Sequence, residues 1–141
     1  ANLEVDVIGH NGLTSLGHAS FHGHVDVVNY LVLEAFADVE ASNNFGGTAL
    51  HLAASEGHLA VVQFLCREAA ADIMAADIQG QTPRTCALWA HHKASKAGAS
   101  ANEKDYDHVA RVTRLKETAE FLKLWEKRSS AGLPMNDLLR D

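Results

Sequence analysis

The chain has 141 residues, a net charge of −6 and 47% apolar residues, of which few are aromatic. These values fit one domain in which small aliphatic side chains let helices pack closely. They argue against nucleic-acid binding, because no Lys/Arg block is present, and against membrane insertion, because no apolar run approaches the ~20 residues that span a bilayer.

A period of 34 residues runs through most of the chain (48 − 14 and 82 − 48). Residues of one type recur at equivalent positions: Thr14, Thr48 and Thr82; Gly12, Gly46 and Gly80; Gly23-His24 and Gly57-His58. A fixed period of this size indicates a solenoid of stacked supersecondary units.

The sequence of each of the first two units predicts two helices and a hairpin loop. A threonine N-cap begins a first helix over 14–22 and 48–56, and the glycine of the Gly-His pair ends it. A second helix follows over 24–35 and 58–69, with apolar residues at i, i+1 and i+4 that face the core. The polar stretch between units is rich in Asn, Asp and Gly, which fits an extended hairpin.

The third unit, over residues 80–128, is interrupted. HVARVTRLKETA (108–119) aligns with HLAVVQFLCREA (58–69) at an offset of 50 (108 − 58), so 16 residues (50 − 34) are inserted. Within the insertion, the small and polar segment 93–104 predicts an exposed loop. Such a loop is either part of a binding face or simply tolerated.

The last helix is predicted to run without a break over 106–128, about 33 Å at 1.5 Å per residue, before a tail at 129–141. Its apolar residues at helical spacing are expected to cover the last repeat: Val112, Leu115, Ala119 and Leu122. Phe121, Leu124 and Trp125 lie further along the same helix. They either cap the stack or clasp the tail, or they form a second partner-binding or self-association surface.

Three segments resemble the ankyrin repeat: GGTALHLAASEGHLAVVQFL (46–65), AADI (70–73) and DIQGQTP (77–83). The resemblance implies a mainly α ankyrin-repeat solenoid over residues 1–128, with stacked helix-turn-helix units and hairpin loops. Its clear repeats are 12–45 and 46–79.

Residues 1–11 resemble the end of a preceding repeat. We therefore keep open the alternative that the chain is a regulatory ankyrin segment of a larger multidomain protein.

Two features depart from the family pattern. The usual period is about 33, and the extra residue here falls in EAFAD and EAAAD, where the family normally has Gly at the end of the second helix. We expect the alanines there to let that helix run slightly longer. His51 matches the histidine of the family's TPLH motif, whereas Gly17 and Thr85 replace it in the other units.

The resemblance implies a non-catalytic adaptor, scaffold or inhibitor whose concave face binds another protein. The family's contact positions fall here on Phe21, His22, Asn44, Phe45, Glu56, Ile78, Gln79, Gln81 and Trp89. Phe21, Phe45 and Trp89 are the expected anchors, because the repeat's packing requires no aromatic residue at these positions. The alternative is that Trp89 is buried under the inserted loop and that Phe45 braces its own hairpin.

No catalytic motif or cofactor site is expected, since the sequence has neither a nucleophile elbow nor a Walker loop. His18 and His22 have metal-ligand spacing, and His24 is close by. No Glu follows His18 as in H-E-x-x-H and no nearby cysteine completes a ligand set, so a metal-dependent enzyme is the weakest alternative. Cys66 and Cys86 form no C-x-x-C pair and are interpreted as small apolar side chains in a reducing compartment. We expect a monomer in the cytoplasm.

Overall fold

The computed structural model describes residues 9–98 and 106–133, which form helices joined by short turns. After a 3-10 turn at His10–Gly12, the helices are α1 (Ser15–Phe21), α2 (Val25–Leu33), α3 (Ala49–Glu56), α4 (Leu59–Arg67), α5 (Pro83–Gly98) and α6 (Tyr106–Ala131). Within these two ranges no β-strand occurs. The mainly α prediction is confirmed.

The first helix of each clear repeat begins at a threonine and ends near a glycine, as the sequence predicts. The hydroxyl oxygen of Thr14 accepts a hydrogen bond from Gly17 N at 3.1 Å. Thr48 begins α3 with a reciprocal cap, in which the His51 side chain accepts from the Thr48 backbone. Gly57 ends α3 with a φ of 75°, a conformation that disfavours any residue with a Cβ.

The helices stack in two layers. The first helices α1, α3 and α5 pack side by side, and the second helices α2, α4 and α6 pack against them. The core between the layers consists largely of small apolar side chains: Leu16, Ala19, Val28, Leu50, Ala53, Ala54, Val61, Val62, Leu65 and Ala87. Large exposed side chains remain on the first helices at Phe21 of α1 and Trp89 of α5, whereas every residue of α3 is at least partly buried.

The second helices end at Leu33 and Arg67, two residues before the predicted ends at 35 and 69, so the expectation that their alanines extend them is wrong. Three residues beyond α2 and α4 the backbone turns to positive φ, 57° at Phe36 and 50° at Ala70. The turn lets Ala37 N donate a hydrogen bond to Leu31 O at 2.9 Å, which satisfies a carbonyl at the helix end. The closing turn therefore prevails over helix propensity, at a cost of roughly 1–2 kcal/mol for each non-glycine residue.

Helix α5 continues into the segment that the sequence predicts as a loop. Residues 93–98 are helical, so that part of the prediction is wrong, and 99–104 lie outside the described residues. His91 stands where Gly57 ends α3, so no glycine breaks α5 at this position. The lysines and alanines that follow favour a helix.

Helix α6 packs in a different register from the one predicted by aligning 108–119 with 58–69. The α6 residues that match the buried pattern of α4 are Thr118, Ala119 and Leu122, which correspond to Val61, Val62 and Leu65. The offset is therefore 57 (118 − 61) and not 50. The hydroxyl of Thr118 is satisfied inside the core because it donates to Arg114 O at 2.7 Å.

A second contact supports the corrected register. Gly57 lies against Leu115 of α6, as Gly23 lies against His58 in the preceding repeat. The offset is again 57 (115 − 58), so the insertion is 23 residues long (57 − 34). Both helices of the third repeat are consequently longer than their equivalents. We call residues 92–98 and 106–114 the extension.

The C-terminal part of α6 caps the stack. Trp125 is 6% exposed, and its ring stacks on Phe121 at 5.5 Å between centroids, whereas Leu124 is half-exposed. Trp125 therefore belongs to the core and offers little exposed area for self-association. Helix α6 ends at Ala131, three residues beyond the predicted end (131 − 128). The remainder of the predicted tail, 134–141, lies outside the described residues.

The four α6 residues expected to cover the last repeat lie on the side of α6 that faces the core. Leu115, Ala119 and Leu122 are buried and Val112 is partly buried. This prediction is confirmed.

Candidate protein-binding surface

One polar side chain closes each of the two hairpin turns at 43–47 and 77–81. Asn43 Oδ1 accepts hydrogen bonds from Phe45 N and Gly47 N, both at 2.9 Å. Asp77 Oδ1 accepts the equivalent two bonds in the next turn, also at 2.9 Å. These bonds fix the backbone of the tips, so the side chains there project from a defined position.

Neighbouring hairpin tips are bonded to one another. Asn44 N donates to Asn11 O at 3.1 Å, and Ile78 N donates to Phe45 O at 3.0 Å. Phe45 is 59% exposed and Ile78 is 70% exposed. Asn44, Phe45 and Ile78 therefore lie along one edge of the stack. Phe45 is not covered by its own hairpin.

Phe21, Ser55 and Trp89 occupy equivalent positions of the repeat (55 − 21 and 89 − 55). Phe21 and Ser55 lie near the ends of α1 and α3, whereas Trp89 lies in the middle of the longer α5. Trp89 is 58% exposed, and residues 99–104 of the loop that the alternative places over it lie outside the described part of the chain. The Lys93 ammonium lies 5.0 Å from the centroid of the Trp89 ring. Phe21 is exposed and meets the His22 ring edge-on at 5.1 Å.

A groove of about 570 Å³ opens between α3, α5 and the start of α6. Three predicted contact residues line it, namely Glu56, Gln81 and Trp89. The other predicted contact residues do not line it: Phe21, His22, Asn44, Phe45, Ile78 and Gln79. The structure therefore divides the predicted site between this groove, the hairpin edge and the N-terminal end of the stack.

Sequence reasoning missed three basic side chains in the groove lining, which are Lys93, His108 and Arg111. Lys93 follows Trp89 by four residues, so a helix through this segment would have placed the two together. No sequence signal places Arg111, whose Nη2 lies 3.7 Å from Glu56 Oε2, because that contact depends on the register of α6.

The histidines that suggested a metal lie at the exposed end of α1. The rings of His18 and His22 are 4.5 Å apart, and the ring of His24 is 6.0 Å from that of His22. Among the described residues, the three side chains that could together reach an ion are elsewhere: His51, Asp77 and Cys86.

That second group is already hydrogen-bonded as part of the repeat. Thr48 N donates to His51 Nδ1 at 3.2 Å, which leaves Nε2 to donate to Gln81 O at 2.9 Å. Asp77 closes its hairpin turn. A metal at this place would have to displace the bond that ties α3 to the next hairpin.

Neither thiol is activated as a nucleophile. Burial raises the pKa of the Cys66 thiol to about 12. Burial, together with the negative charge of Asp77, raises the pKa of Cys86 to about 11. Both groups therefore stay protonated near neutral pH, whereas nucleophilic attack needs the thiolate. Cys66 is a core side chain, and Cys86 lies on the floor of the groove.

Comparison with protein families accounts for the stacked units. The family model described as ankyrin repeats, three copies, matches residues 16–97, more than half of the chain. The chain belongs to the ankyrin repeat family. Ankyrin repeats are generally protein–protein interaction modules, and the family is typically non-catalytic. The match ends within α5, so α6 lies outside it.

A search of curated proteins found no match to this ankyrin-repeat chain. Over residues 9–98 and 106–133, no helix combines the length and the apolar character needed to cross a membrane.

Proposed function

We propose that this ankyrin-repeat domain is a non-catalytic adaptor, scaffold or inhibitor that holds another protein on the face formed by its first helices and hairpin tips. The observation that supports this most directly is the exposure of two large aromatic side chains, Phe45 and Trp89, at defined positions on that face. Aromatic residues of this kind commonly supply most of the binding energy at protein interfaces.

The surrounding residues suit an interface. Ile78 adds apolar area beside Phe45, and Phe21 adds more at the other end of the stack. The proposed rim is polar and consists of His22, Asn44, Glu56, Gln79 and Gln81. Because the tips and helix starts are fixed by hydrogen bonds, binding costs little conformational entropy there.

We place the domain in the cytoplasm as a monomer that binds its partner without a cofactor. The two cysteines form no disulfide, which suits a reducing compartment. Their raised pKa values support a role other than covalent catalysis.

A second candidate function is regulation of another domain in a longer chain. It is favoured by the exposure of Val27 on α2, which is 48%, whereas the equivalent Val61 on α4 is fully buried by its neighbours. A helix of a further repeat would bury Val27 in the same way.

The test is affinity capture from cell lysate with the wild-type domain and with a Phe21→Ala, Phe45→Ala, Trp89→Ala variant. Circular dichroism first establishes that both fold. We expect the wild type to retain a protein that the variant loses, because removing a central aromatic anchor costs roughly 2 kcal/mol or more at an interface.

The matched control changes exposed aromatic residues elsewhere. Tyr30 and Phe36 belong to the second helix of the first repeat and the turn after it, and they are 61% and 82% exposed. A Tyr30→Ala, Phe36→Ala variant should retain the same protein. Equal retention by all three proteins would place the binding surface outside the proposed residues.

A further inference from the structure

The extension differs in charge from the remainder of the chain. Its residues, 92–98 and 106–114, contain four Lys or Arg and one Asp or Glu, a net charge of +3 (4 − 1), while the whole chain has −6. The other residues therefore sum to −9 (−6 − 3). An inserted segment of opposite charge creates a boundary between an acidic repeat stack and a basic helix pair.

This boundary falls in the groove beside Trp89. Lys93 of α5 and Arg111 of α6 both line it, and Glu56 is the one carboxylate among the described lining residues. Glu56 already faces Arg111 at 3.7 Å, and that pair is partly exposed. Lys93 lies over the Trp89 ring, so a positive charge stands next to an apolar face.

The floor of the groove is small and apolar. Cys86, Ala90, Ala94 and Ala97 lie along one side of α5 and line it. Cys86 and Ala97 are eleven residue steps apart (97 − 86), about 16 Å along the helix, which is the length of roughly five residues of extended peptide. Small side chains leave room above them, and Trp89 forms an apolar wall.

We propose that this groove takes a short acidic segment of the partner protein. An apolar side chain of the segment packs over Ala90 and Ala94 beside Trp89, while flanking carboxylates meet Lys93 and Arg111. The assignment rests on the proposed protein-binding function and adds the chemistry of the partner. Opposite charge favours the acidic segment, and the apolar floor and the tryptophan give it an anchor.

The experiment measures binding of two labelled synthetic peptides by fluorescence anisotropy. Both contain the same Leu-Phe centre, and they differ only in their flanking residues, Glu in one and Lys in the other. We expect the wild type to bind the Glu peptide about tenfold more tightly than the Lys peptide, with the preference shrinking at high salt.

Two charge-reversal variants locate the interaction. Lys93→Glu should weaken binding of the Glu peptide about tenfold. Lys123→Glu makes the same charge change at an exposed position of α6 outside the groove lining, and it should leave binding unchanged within about twofold. If both substitutions weaken binding equally, the net charge of the domain and not the groove determines the peptide preference, and the inference is overturned.

The peptide titrations and the lysate capture can fail separately. If the wild type binds neither peptide, or prefers the Lys peptide, the acidic-segment inference is wrong even when the aromatic variant loses a captured partner. If no partner depends on Phe21, Phe45 and Trp89, the proposed function fails, whatever the peptides show.

Discussion

The backbone nitrogen of Leu115 in α6 lies 3.1 Å from the place where a Cβ on Gly57 would stand. This contact fixes how the last helix is seated on the second repeat. Gly57 is thus required twice, once for its φ of 75° at the end of α3 and once for the close approach of α6.

We expect Gly57→Ala to lower the free energy of unfolding by about 2–4 kcal/mol, because positive φ and overpacking both oppose a side chain there. Gly80→Ala is the matched control. Gly80 has a φ of 76°, but nothing lies within 4 Å of its added Cβ. Backbone strain is then the only cost, and the free energy of unfolding should fall by about 1–2 kcal/mol. Urea unfolding followed by circular dichroism measures both values. Equal losses would mean that α6 does not press on Gly57.

The positive φ at the ends of the second helices predicts a stabilising change. Ala70 has a φ of 50°, so Ala70→Gly should relieve strain and raise the free energy of unfolding by about 0.5–1 kcal/mol. Ala60 is exposed within α4, where Ala60→Gly should instead lower it by about 1 kcal/mol. Thermal denaturation of the two variants should show opposite shifts in Tm. A lower Tm for Ala70→Gly would contradict the strain argument.

Because the repeats stack, a valine-to-alanine substitution should lower the free energy of unfolding by different amounts at equivalent positions of two repeats. Val61 is fully buried between α4 and its neighbours, whereas Val27 is 48% exposed. We expect Val61→Ala to cost about 2 kcal/mol and Val27→Ala less than about 1 kcal/mol. The check is urea unfolding of both variants, in which the midpoints are compared with a common m-value. Similar losses would indicate that the exposed face of α2 is covered in solution.

His58 links two repeats and makes stability depend on pH. Its Nε2 donates to Phe21 O at 2.9 Å, and burial lowers the pKa of the imidazole below its ordinary value of 6.5. The unfolded chain therefore binds this proton more readily than the folded chain. The contribution is fully present above the unfolded pKa and is lost as pH falls from there through the lower folded pKa.

We expect the urea midpoint of the wild type to fall between pH 8 and pH 5.5, and His58→Gln to reduce that fall. His92→Gln, which removes an exposed imidazole of α5, is the matched comparison for the loss of one histidine. An identical pH profile for wild type and His58→Gln would remove this residue as the cause.

The local parts of the fold follow from short segments of sequence. Thr14 and Thr48 cap the first helices, and Gly57 ends α3, because these effects depend on residues within one helical turn. The exposure of Phe45 and Trp89 was also predictable, since their positions within the repeat face away from the core. The ends of α2 and α4 were predicted less well, because the turn at Phe36 and Ala70 follows from backbone hydrogen bonds and not from propensity.

The sequence by itself determined that the chain is a stack of ankyrin repeats, because the period and the caps are local and recur. Only the tertiary structure decided the register of α6. The predicted offset of 50 and the observed offset of 57 differ by seven residues (57 − 50), about two helical turns, so both bury nearly the same face of the helix. The contact of Leu115 with Gly57 distinguishes them, and it also brings Arg111 into the groove beside Trp89.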